Sequence, residues 1–490
     1  MSPDSVGFAL LLLGAMLLIA KIIRVKWRLP QRLFVPSSII AGSLALLLGP
    51  DVLGRLASAL GTDRFADAGL FTQDILDVWS TLPGLLISVV FAGLFLGSPL
   101  PSFRTAREQA GPQIAFGLTL ASGQYVLGIL LAILVLSPVF GLPVLSGSLI
   151  EMGFEGGHGT AAGMAGVFEQ YGFPEGKDLA LGMATVGLLS GIILGIALIN
   201  WGARKGHATA LNGGAASSDE DRAGVVAKDR RQSAGALTVQ PASIESLSLH
   251  FGLLAVAVLV GWVMLTAMQW VEQQLWADTV EIFSAVPLFP MAMIGGILVQ
   301  IVIQSFDKRE VVDRPMVERL QGLSLDVLIT AALGTLALDV IANNFGAFVL
   351  LVVVGLAWSL FAFFVLARRV LPDYWFERGI GDLGQSLGVT ATGLVLLKIA
   401  DPEVKTSAYP AFGYKQLILE PFFGGGLVTA AAIPLMANFG PYWLLGGMAV
   451  LLAVSLAVGL LHYGPKGRKG GGSPGARDGD GSGRTADVAA

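Results

Sequence analysis

The sequence predicts an all-α polytopic membrane protein: two inverted-topology repeats of five transmembrane helices, each with a re-entrant glycine-rich loop, plus one extra C-terminal helix. Three observations predict this fold. Of 490 residues, 54% are hydrophobic and only 13% are charged, whereas a soluble globular domain carries roughly 25% charged residues. The chain also contains eleven long apolar stretches. Finally, two polar, glycine-rich stretches take matching places in the two halves.

The eleven apolar stretches reach the length of about 17–25 residues that is needed to cross a bilayer core. In the first half they are Val6–Ile23, Leu33–Gly49, Val78–Leu96, Gln113–Leu136 and Leu179–Trp201. In the second half they are Leu249–Val271, Ala285–Ile303, Leu323–Ile341, Phe345–Leu366, Gln416–Met436 and Trp443–Leu461. The first stretch has neither a basic leader nor a small-residue cleavage site, so we expect it to be a retained helix.

These stretches divide the chain into segments. Residues 1–204 form the first predicted membrane repeat and residues 247–437 form the second. Residues 205–246 are polar and rich in alanine, glycine and serine, which predicts a flexible cytoplasmic linker. Residues 438–463 hold the extra transmembrane helix, and the composition of residues 464–490 predicts a disordered cytoplasmic tail.

Lysine and arginine recur on one side of the predicted path, as cytoplasmic loops require. They crowd the loop after the first span, and they return after the third, fifth, seventh and ninth spans and in the tail. The loop Trp270–Glu281, on the other side, carries acids but no lysine or arginine. The sequence therefore predicts a multi-pass membrane protein with its N-terminus outside and its C-terminus in the cytoplasm.

The two halves share an order of parts. Pro36–Leu44 reads PSSIIAGSL in the second span, and Pro290–Leu298 reads PMAMIGGIL in the seventh. In each half, two more spans then lead to a polar stretch and a following helix. Because the first half has five crossings, the second half must begin on the opposite side, which predicts inverted topology.

The polar stretches lie at about residues 151–168 (EMGFEGGHGTAAGMAGVF) and 379–398 (GIGDLGQSLGVTATGLVLLK). Aligned without a gap, Glu155 falls on Asp382. Irregular backbone at membrane depth is tolerated only where protein or a water-filled cavity surrounds it, and a matching pair of such segments predicts a transporter's binding site. In the alternative interpretation, the glycines only let neighbouring helices pack closely.

Three acids are candidate ion ligands. Glu155 and Asp382 lie in the polar stretches, and Glu420 precedes a proline in the tenth span. An acid at membrane depth is costly and indicates ion coordination or proton relay, although water at a loop mouth or a partner on a neighbouring helix would equally stabilise it. Thr160 and backbone carbonyls offer oxygens to Na⁺. His158 can donate to a substrate carboxylate or satisfy nearby backbone carbonyls.

Several function classes lack their signatures. The chain has no cysteine, which excludes disulfides and thiol catalysis. It has no GxxxxGK[ST] phosphate loop and no HExxH, which argues against nucleotide-driven transport by this chain alone and against an intramembrane metalloprotease. The net charge of -4 is spread over short loops, so no basic face is available for nucleic acid. We expect a protein that is not an enzyme and has no cofactor and no resident metal.

Two motifs resemble those of the bacterial sodium/glutamate symporters. They are GGHGTAAG at Gly156–Gly163, before the helix that ends the first half, and GVTATG at Gly388–Gly393. The resemblance covers most of Val6–Met436 apart from the linker, and Ala391 stands between two threonines where the family typically has proline. It implies a homodimer of the bacterial cell (inner) membrane in which a transport domain moves against a scaffold, an elevator-type movement, and uptake of glutamate with Na⁺ as the coupling ion.

The resemblance and the three acids together give the expected site. We expect the substrate to contact Gly156, Gly157, His158, Gly159, Gly388 and Thr390. We expect the coupling ion to contact Thr160, Glu155, Asp382, Thr392 and Glu420.

The sequence thus predicts a secondary transporter that imports glutamate, or a related small carboxylate or amino acid, with Na⁺. Three acids near the site also fit a proton-coupled transporter of a different substrate. A passive channel for small ions or solutes remains open, because channels too contain inverted repeats with paired re-entrant loops. The expected partners are a small anionic substrate, Na⁺, the lipid bilayer and a second copy of the chain.

Overall fold

The computed structural model describes residues 3–33, 35–62, 65–98, 103–211, 224–231, 233–275, 283, 286–402 and 405–464, without the side chains of residues 32, 103–109 and 230. The centre of the predicted linker, the second half of the predicted external loop at 270–281 and all but the first residue of the predicted tail lie outside these residues. Every regular element within them is a helix, which confirms the all-α class.

The principal helices are α1 (Pro3–Lys26), α2 (Ser37–Leu48), α3 (Gln73–Ala92), α4 (Phe103–Leu131), α5 (Leu149–Phe154), α6 (Gly157–Gly163), α7 (Ala165–Gln170), α8 (Glu175–Lys205), α9 (Ser246–Leu275), α10 (Leu288–Phe306), α11 (Arg314–Gly334), α12 (Leu338–Asn343), α13 (Phe345–Phe361), α14 (Trp375–Ala400), α15 (Ala408–Leu419), α16 (Leu427–Phe439) and α17 (Pro441–Ala457). Further turns lengthen α4 through Ala132–Leu136 and Ser137–Phe140, α13 through Ala362–Ala367 and Arg368–Val370, and α17 through Val458–Tyr463. Shorter turns cover Arg28–Arg32, Pro50–Gly54, Arg55–Ala59, Val144–Ser148 and Lys228–Arg230.

Ten helices in the described part of the chain are long and apolar enough to cross a membrane. They confirm a multi-pass membrane protein and include nine of the eleven predicted spans. The tenth is α14, which covers the second polar stretch and reaches this length only when its two arms, on either side of a bend at Gly388 and Val389, are counted together. The bounds of the two remaining predicted spans, Leu323–Ile341 and Gln416–Met436, are wrong.

The eighth predicted span begins too late in the chain. Helix α11 starts nine residues before Leu323, because the Asp313 carboxylate accepts the N–H of Met316 (3.1 Å) and Pro315 suits the first turn. It ends at Gly334, and the short α12 follows. Charged residues in its first half and Asp326 in its middle lowered the hydropathy that sequence analysis relied on.

The tenth predicted span, Gln416–Met436, is two helices. Residues 420–426 separate α15 from α16. Pro421 has no N–H to donate, and Gly424 and Gly425 have φ angles of +68° and +109°, which residues with a side chain rarely adopt. The polar backbone of this break must therefore find partners outside its own helix.

The helices pack in two bundles. The first contains α1, α2 and α3 together with α9, α10 and α11, and in it the Trp79 indole N–H donates to the carbonyl of Ala9 (3.1 Å). The second contains α4, α8 and α13 to α17, with both polar stretches. Helix α6 contacts α3 and α11 and so joins the two. The first three helices of each predicted half therefore share one bundle.

The start of the predicted linker is attached to the second bundle. The buried carboxylate of Glu377 in α14 accepts the N–H and hydroxyl of Thr209 (2.5 and 2.9 Å) and the N–H of Ala210 (3.1 Å). Further along, Lys21 donates to the carbonyl of Gly224 (2.5 Å). These bonds order part of the linker next to the helices.

Candidate functional site

Helix α14, which carries the second polar stretch, folds back on itself as a hairpin. Its backbone leaves the helical conformation at Gly388 and Val389, where φ is -159° and 62°. A β carbon added to Gly384 would lie 2.9 Å from the Cα of Gly393, so the two arms touch along their backbones. Val389 is β-branched with a positive φ, a strain of about 1–3 kcal/mol that is typical of ligand sites.

The first polar stretch bends at a glycine too. Between α5 and α6 the chain changes direction at Gly156 and Gly157, and Gly157 has a φ of +68°. One turn later comes Thr160, four residues after Gly156, just as Thr392 comes four residues after Gly388. Both stretches therefore place a threonine hydroxyl one turn beyond the bend.

This geometry corrects the alignment of the two stretches. Matching the bends pairs Gly156 with Gly388, an offset of 232 residues, whereas pairing Glu155 with Asp382 uses an offset of 227. The alignment made from sequence was therefore wrong by five residues. A shared acid and shared glycines favoured a register that leaves the bends apart, because glycines recur every few residues in both stretches.

The two bends meet each other and the break between α15 and α16. A β carbon on Gly157 would overlap the side chain of Val389, and one on Gly425 would overlap the hydroxyl of Thr160. The Thr160 hydroxyl also donates to the carbonyl of Gly424 (3.5 Å). Glycine at these positions lets three segments of irregular backbone approach one another closely.

A cavity of about 410 Å³ lies where these segments meet. Eight predicted site residues line it: Gly156, Gly157, His158, Gly159, Gly388, Thr390, Glu155 and Glu420. Gln385, Gln416 and Arg314 add polar groups, and apolar side chains of α3, α8 and α11 line much of the rest. The structure places the other three predicted residues outside the lining: Thr160, Asp382 and Thr392. The volume of this cavity, about 410 Å³, suits a small organic molecule.

A second cavity, of about 530 Å³, shares Val389 and Ala391 with the first. Thr392 lines it from the hairpin, and Arg24 and Asp326 line it from the first bundle. The hairpin bend therefore borders both cavities.

Two carboxylates in the first cavity have different partners. Glu155 is 6% exposed, and its Oε1 accepts the side-chain N–H of Gln385 (2.9 Å). Its Oε2 is buried and has no hydrogen-bond partner among the residues that the structure describes. Glu420 accepts the hydroxyl of Thr390 (3.3 Å), and Gln416 donates to that same hydroxyl. Within the described residues, Glu155 thus keeps one carboxylate oxygen without a partner.

His158 is turned towards helix α8. Its Nε2 lies 2.9 Å from the hydroxyl of Thr185, which itself donates to the carbonyl of Leu181 (3.1 Å). Because a hydroxyl has one hydrogen, Nε2–H is the donor to Thr185. The histidine lines the cavity, but this nitrogen binds a neighbouring helix rather than the carbonyls of its own loop.

Asp382 belongs to a fully buried ion pair beside the cavity. Its Oδ1 lies 2.9 Å from Nζ of Lys415, both side chains being 0% exposed, and its Oδ2 accepts the side-chain N–H of Gln113 (2.7 Å). Lys415 also donates to Oε1 of Gln385 and lies 4.6 Å from the ring centre of Phe412.

Glu151 fastens the first bend to the broken helix. Its Oε1 accepts the N–H of Gly424 and the hydroxyl of Thr429, both at 2.8 Å, and its Oε2 accepts the hydroxyl of Tyr125 (2.7 Å). Four polar groups from four segments are thereby satisfied inside the bundle, as buried polar groups must be.

Sequence analysis missed Glu151, Lys415 and Gln385 as residues of this region. Glu151 precedes Glu155 by four residues, one helical turn, which was a readable signal. Lys415 directly precedes the predicted span Gln416–Met436, which holds the charged Glu420, and a second charge at the edge of such a span was also a signal. Nothing in the sequence distinguishes Gln385 from any other glutamine.

Residues 6–400 match the sodium/glutamate symporter family, and this range includes both bends. The chain belongs to that family. The sodium/glutamate symporters of Escherichia coli (strain K12) and Shigella flexneri are each 27% identical to it over 313 residues, which is 63% of this chain and 71% of each relative. Membership confirms the predicted resemblance and makes the chain a transport protein rather than an enzyme. In this member, α15, α16 and α17 follow the matched range.

Proposed function

We propose that this sodium/glutamate symporter family member imports glutamate, or a related small carboxylate or amino acid, together with Na⁺. The observation that carries the proposal is the meeting of both glycine bends and the broken α15–α16 helix around one cavity. Interrupted helices present free N–H groups to an anion and free carbonyls to a cation within the membrane. The names of the two relatives state the same activity for those proteins.

The substrate would lie against the first bend. Backbone N–H groups of Gly157, Gly159 and Gly388 would hold a carboxylate, since glycine leaves them sterically accessible. Gly156 would contact the substrate without its N–H, which already donates to the carbonyl of Glu151 (2.9 Å). The hydroxyl of Thr390 lines the same cavity and is held between Gln416 and Glu420, so its orientation is fixed before the substrate arrives.

The cation would be bound by oxygens near the two bends. Hard cations prefer carboxylate, hydroxyl and carbonyl oxygens, and Glu155 and Glu420 offer carboxylates in the cavity. The hydroxyls of Thr160 and Thr392 lie one turn beyond each bend. Asp382, the fifth predicted ligand, already pairs with Lys415 and accepts a hydrogen bond from Gln113, and we propose that it acts as the counter-ion of Lys415.

Movement of one bundle against the other would carry the site across the membrane. The second bundle holds both bends and would be the moving part, and the first would be the scaffold of a homodimer with an inverted repeat and re-entrant bends. Apolar scaffold residues such as Ile87 and Ile329 form part of the cavity wall, which is the sliding contact that an elevator-type mechanism needs. Arg24 and Lys398 line the second cavity, which supports placing that cavity on the cytoplasmic side, with the N-terminus outside.

Uptake of labelled glutamate into proteoliposomes tests the proposal. We expect accumulation with an inward Na⁺ gradient and none with an inward proton gradient alone or with no gradient. Equilibration without accumulation would instead support the passive channel. Accumulation driven by protons, with another carboxylate or amino acid as substrate, would support the proton-coupled alternative.

The substitution Thr160→Ala sharpens this test. Its hydroxyl is nearly buried and bonds across to the break, so its removal should weaken Na⁺ activation more than maximal uptake. Thr392→Ala makes the same change at the other bend. Normal Na⁺ activation in both variants would contradict the proposed cation site.

A further inference from the structure

Buried polar side chains form a continuous chain that ends at Glu155. At its start, Asp382 accepts a hydrogen bond from the side chain of Gln113 (2.7 Å) and forms an ion pair with Lys415 (2.9 Å). Lys415 donates in addition to Oε1 of Gln385. Gln385 then donates from Nε2 to Oε1 of Glu155 (2.9 Å). The chain therefore links an ion pair in the protein interior to a carboxylate of the cavity.

The direction of each bond in this chain is fixed by chemistry. An ammonium group has three donors and no acceptor, so Lys415 can contact Gln385 only through the amide oxygen. That contact turns the NH₂ group of Gln385 towards Glu155. One carboxylate oxygen of Glu155 is then occupied, and the other, Oε2, has no partner in the described part of the chain.

The charges along the chain leave one negative charge uncompensated. Lys415 and Asp382 are both fully buried and neutralise each other. Among the residues that the structure describes, Glu155 receives a hydrogen bond only from a neutral amide, although its side chain is buried. An unpaired buried carboxylate is unfavourable unless a cation or a proton reaches it. The Gly424 carbonyl also lines the cavity, and the Thr160 hydroxyl donates to it.

We propose that Lys415 and Gln385 are positioning residues for a monovalent hard cation, Na⁺, that binds at Glu155. The Lys415 ammonium fixes the orientation of the Gln385 amide, and this amide fixes the rotamer of Glu155. Oε2 of Glu155 is therefore already in place for the cation, so that little conformational entropy is lost on binding. Neither residue touches the cation. The inference rests on the proposed Na⁺-coupled transport, because it names what prepares the cation site of that transport.

The substitution Gln385→Met tests the inference with little change of side-chain shape. It removes both hydrogen bonds of the amide and leaves the Lys415–Asp382 ion pair intact. We expect the Na⁺ concentration for half-maximal uptake to rise roughly tenfold, because the hydrogen bond that orients the Glu155 carboxylate is one of the two that are lost. Maximal uptake at saturating Na⁺ should change little, since the substrate contacts remain. A purely structural role would lower maximal uptake instead.

Gln124→Met is the matched control. Gln124 is a buried glutamine of α4 that also bonds the hairpin, donating to the carbonyl of Ser386 (2.7 Å), but it is not part of the chain to Glu155. We expect its Na⁺ dependence to be that of the wild type. The double substitution Asp382→Asn with Lys415→Met provides a second variant that removes the ammonium without leaving a lone charge, and it should shift the Na⁺ dependence in the same direction as Gln385→Met.

Binding of radioactive Na⁺ to the purified full-length protein separates this inference from the proposed transport. Weaker Na⁺ binding by Gln385→Met than by the wild type would support the inference even if no glutamate uptake were seen. Na⁺-driven uptake by the wild type with an unchanged Na⁺ dependence in Gln385→Met would overturn the inference and leave the transport proposal standing. An equal shift in Gln124→Met would also overturn it. Absence of both uptake and Na⁺ binding in the wild type would overturn both proposals.

Discussion

The two polar stretches each carry a fully buried acid on the arm before the bend, but the two acids have different partners. In the residues that the structure describes, Glu151 accepts hydrogen bonds from neutral donors, namely the hydroxyls of Tyr125 and Thr429 and a backbone N–H. Asp382 instead faces the ammonium of Lys415. One bend is thus fastened by dipoles and the other by a charge.

Both acids nevertheless bind the same discontinuous helix. Lys415 lies in α15, before the break, and the partners of Glu151 include Gly424 in the break and Thr429 in α16. The two bends are therefore connected through one element. The comparison also teaches that a buried acid in a membrane helix is not an ion ligand merely by its depth. In the described part of the chain, both carboxylate oxygens of Glu151 and of Asp382 accept hydrogen bonds, whereas Oε2 of Glu155 accepts none.

The largest effect should come from Lys415→Met. This substitution leaves Asp382 as a buried charge without its cation, which typically costs about 3–5 kcal/mol. We expect a marked drop in the midpoint of thermal unfolding of the protein in detergent.

The double substitution with Asp382→Asn is the control, because replacing both members of a buried pair is often nearly neutral. It should recover most of the midpoint lost in Lys415→Met. A double variant as unstable as the single one would show that Lys415 stabilises the bundle by packing rather than by charge.

The fold could largely be predicted because bilayer thickness imposes a length on apolar helices, and that length is readable. Nine spans were located in this way. The tenth predicted span failed for a physical reason: Gly424, Gly425 and Gly426 are apolar by hydropathy but break a helix by their backbone freedom. Hydropathy alone does not separate a continuous helix from an interrupted one.

The site could be predicted only where neighbouring residues in the sequence, such as glycines and acids within an apolar region, indicate it. The glycine-rich stretches were found, and Glu155 and Glu420 do line the cavity. The partners of Asp382 could not be found, since Lys415 and Gln113 lie 33 and 269 residues away along the chain. Pairing of buried polar groups is a property of the packed helices, not of any one segment.

An intermediate effect should follow from Tyr125→Phe, at the bend that is fastened by dipoles. The Tyr125 hydroxyl is the one donor to Oε2 of Glu151 in the described part of the chain. Leaving that oxygen unsatisfied should cost about 1–3 kcal/mol, less than exposing a whole buried charge. The unfolding midpoint should therefore lie between those of the wild type and Lys415→Met. A loss as large as that of Lys415→Met would remove the distinction between the two bends.

The smallest effect on the unfolding midpoint should come from Asp339→Asn. This substitution removes the acid of an exposed ion pair, as Asp382→Asn removes the acid of a buried one. Asp339 pairs with Arg55, but the two side chains are 59% and 49% exposed, and Arg55 keeps a second carboxylate, Asp51, at 2.7 Å. Solvent and salt screen such a pair, so we expect no measurable change in the unfolding midpoint, whereas Asp382→Asn should lower it. An equal decrease of the unfolding midpoint in both variants would mean that burial does not determine how much these ion pairs stabilise the protein. The ion pair of Lys415 would then stabilise the second bend no more than a surface pair would.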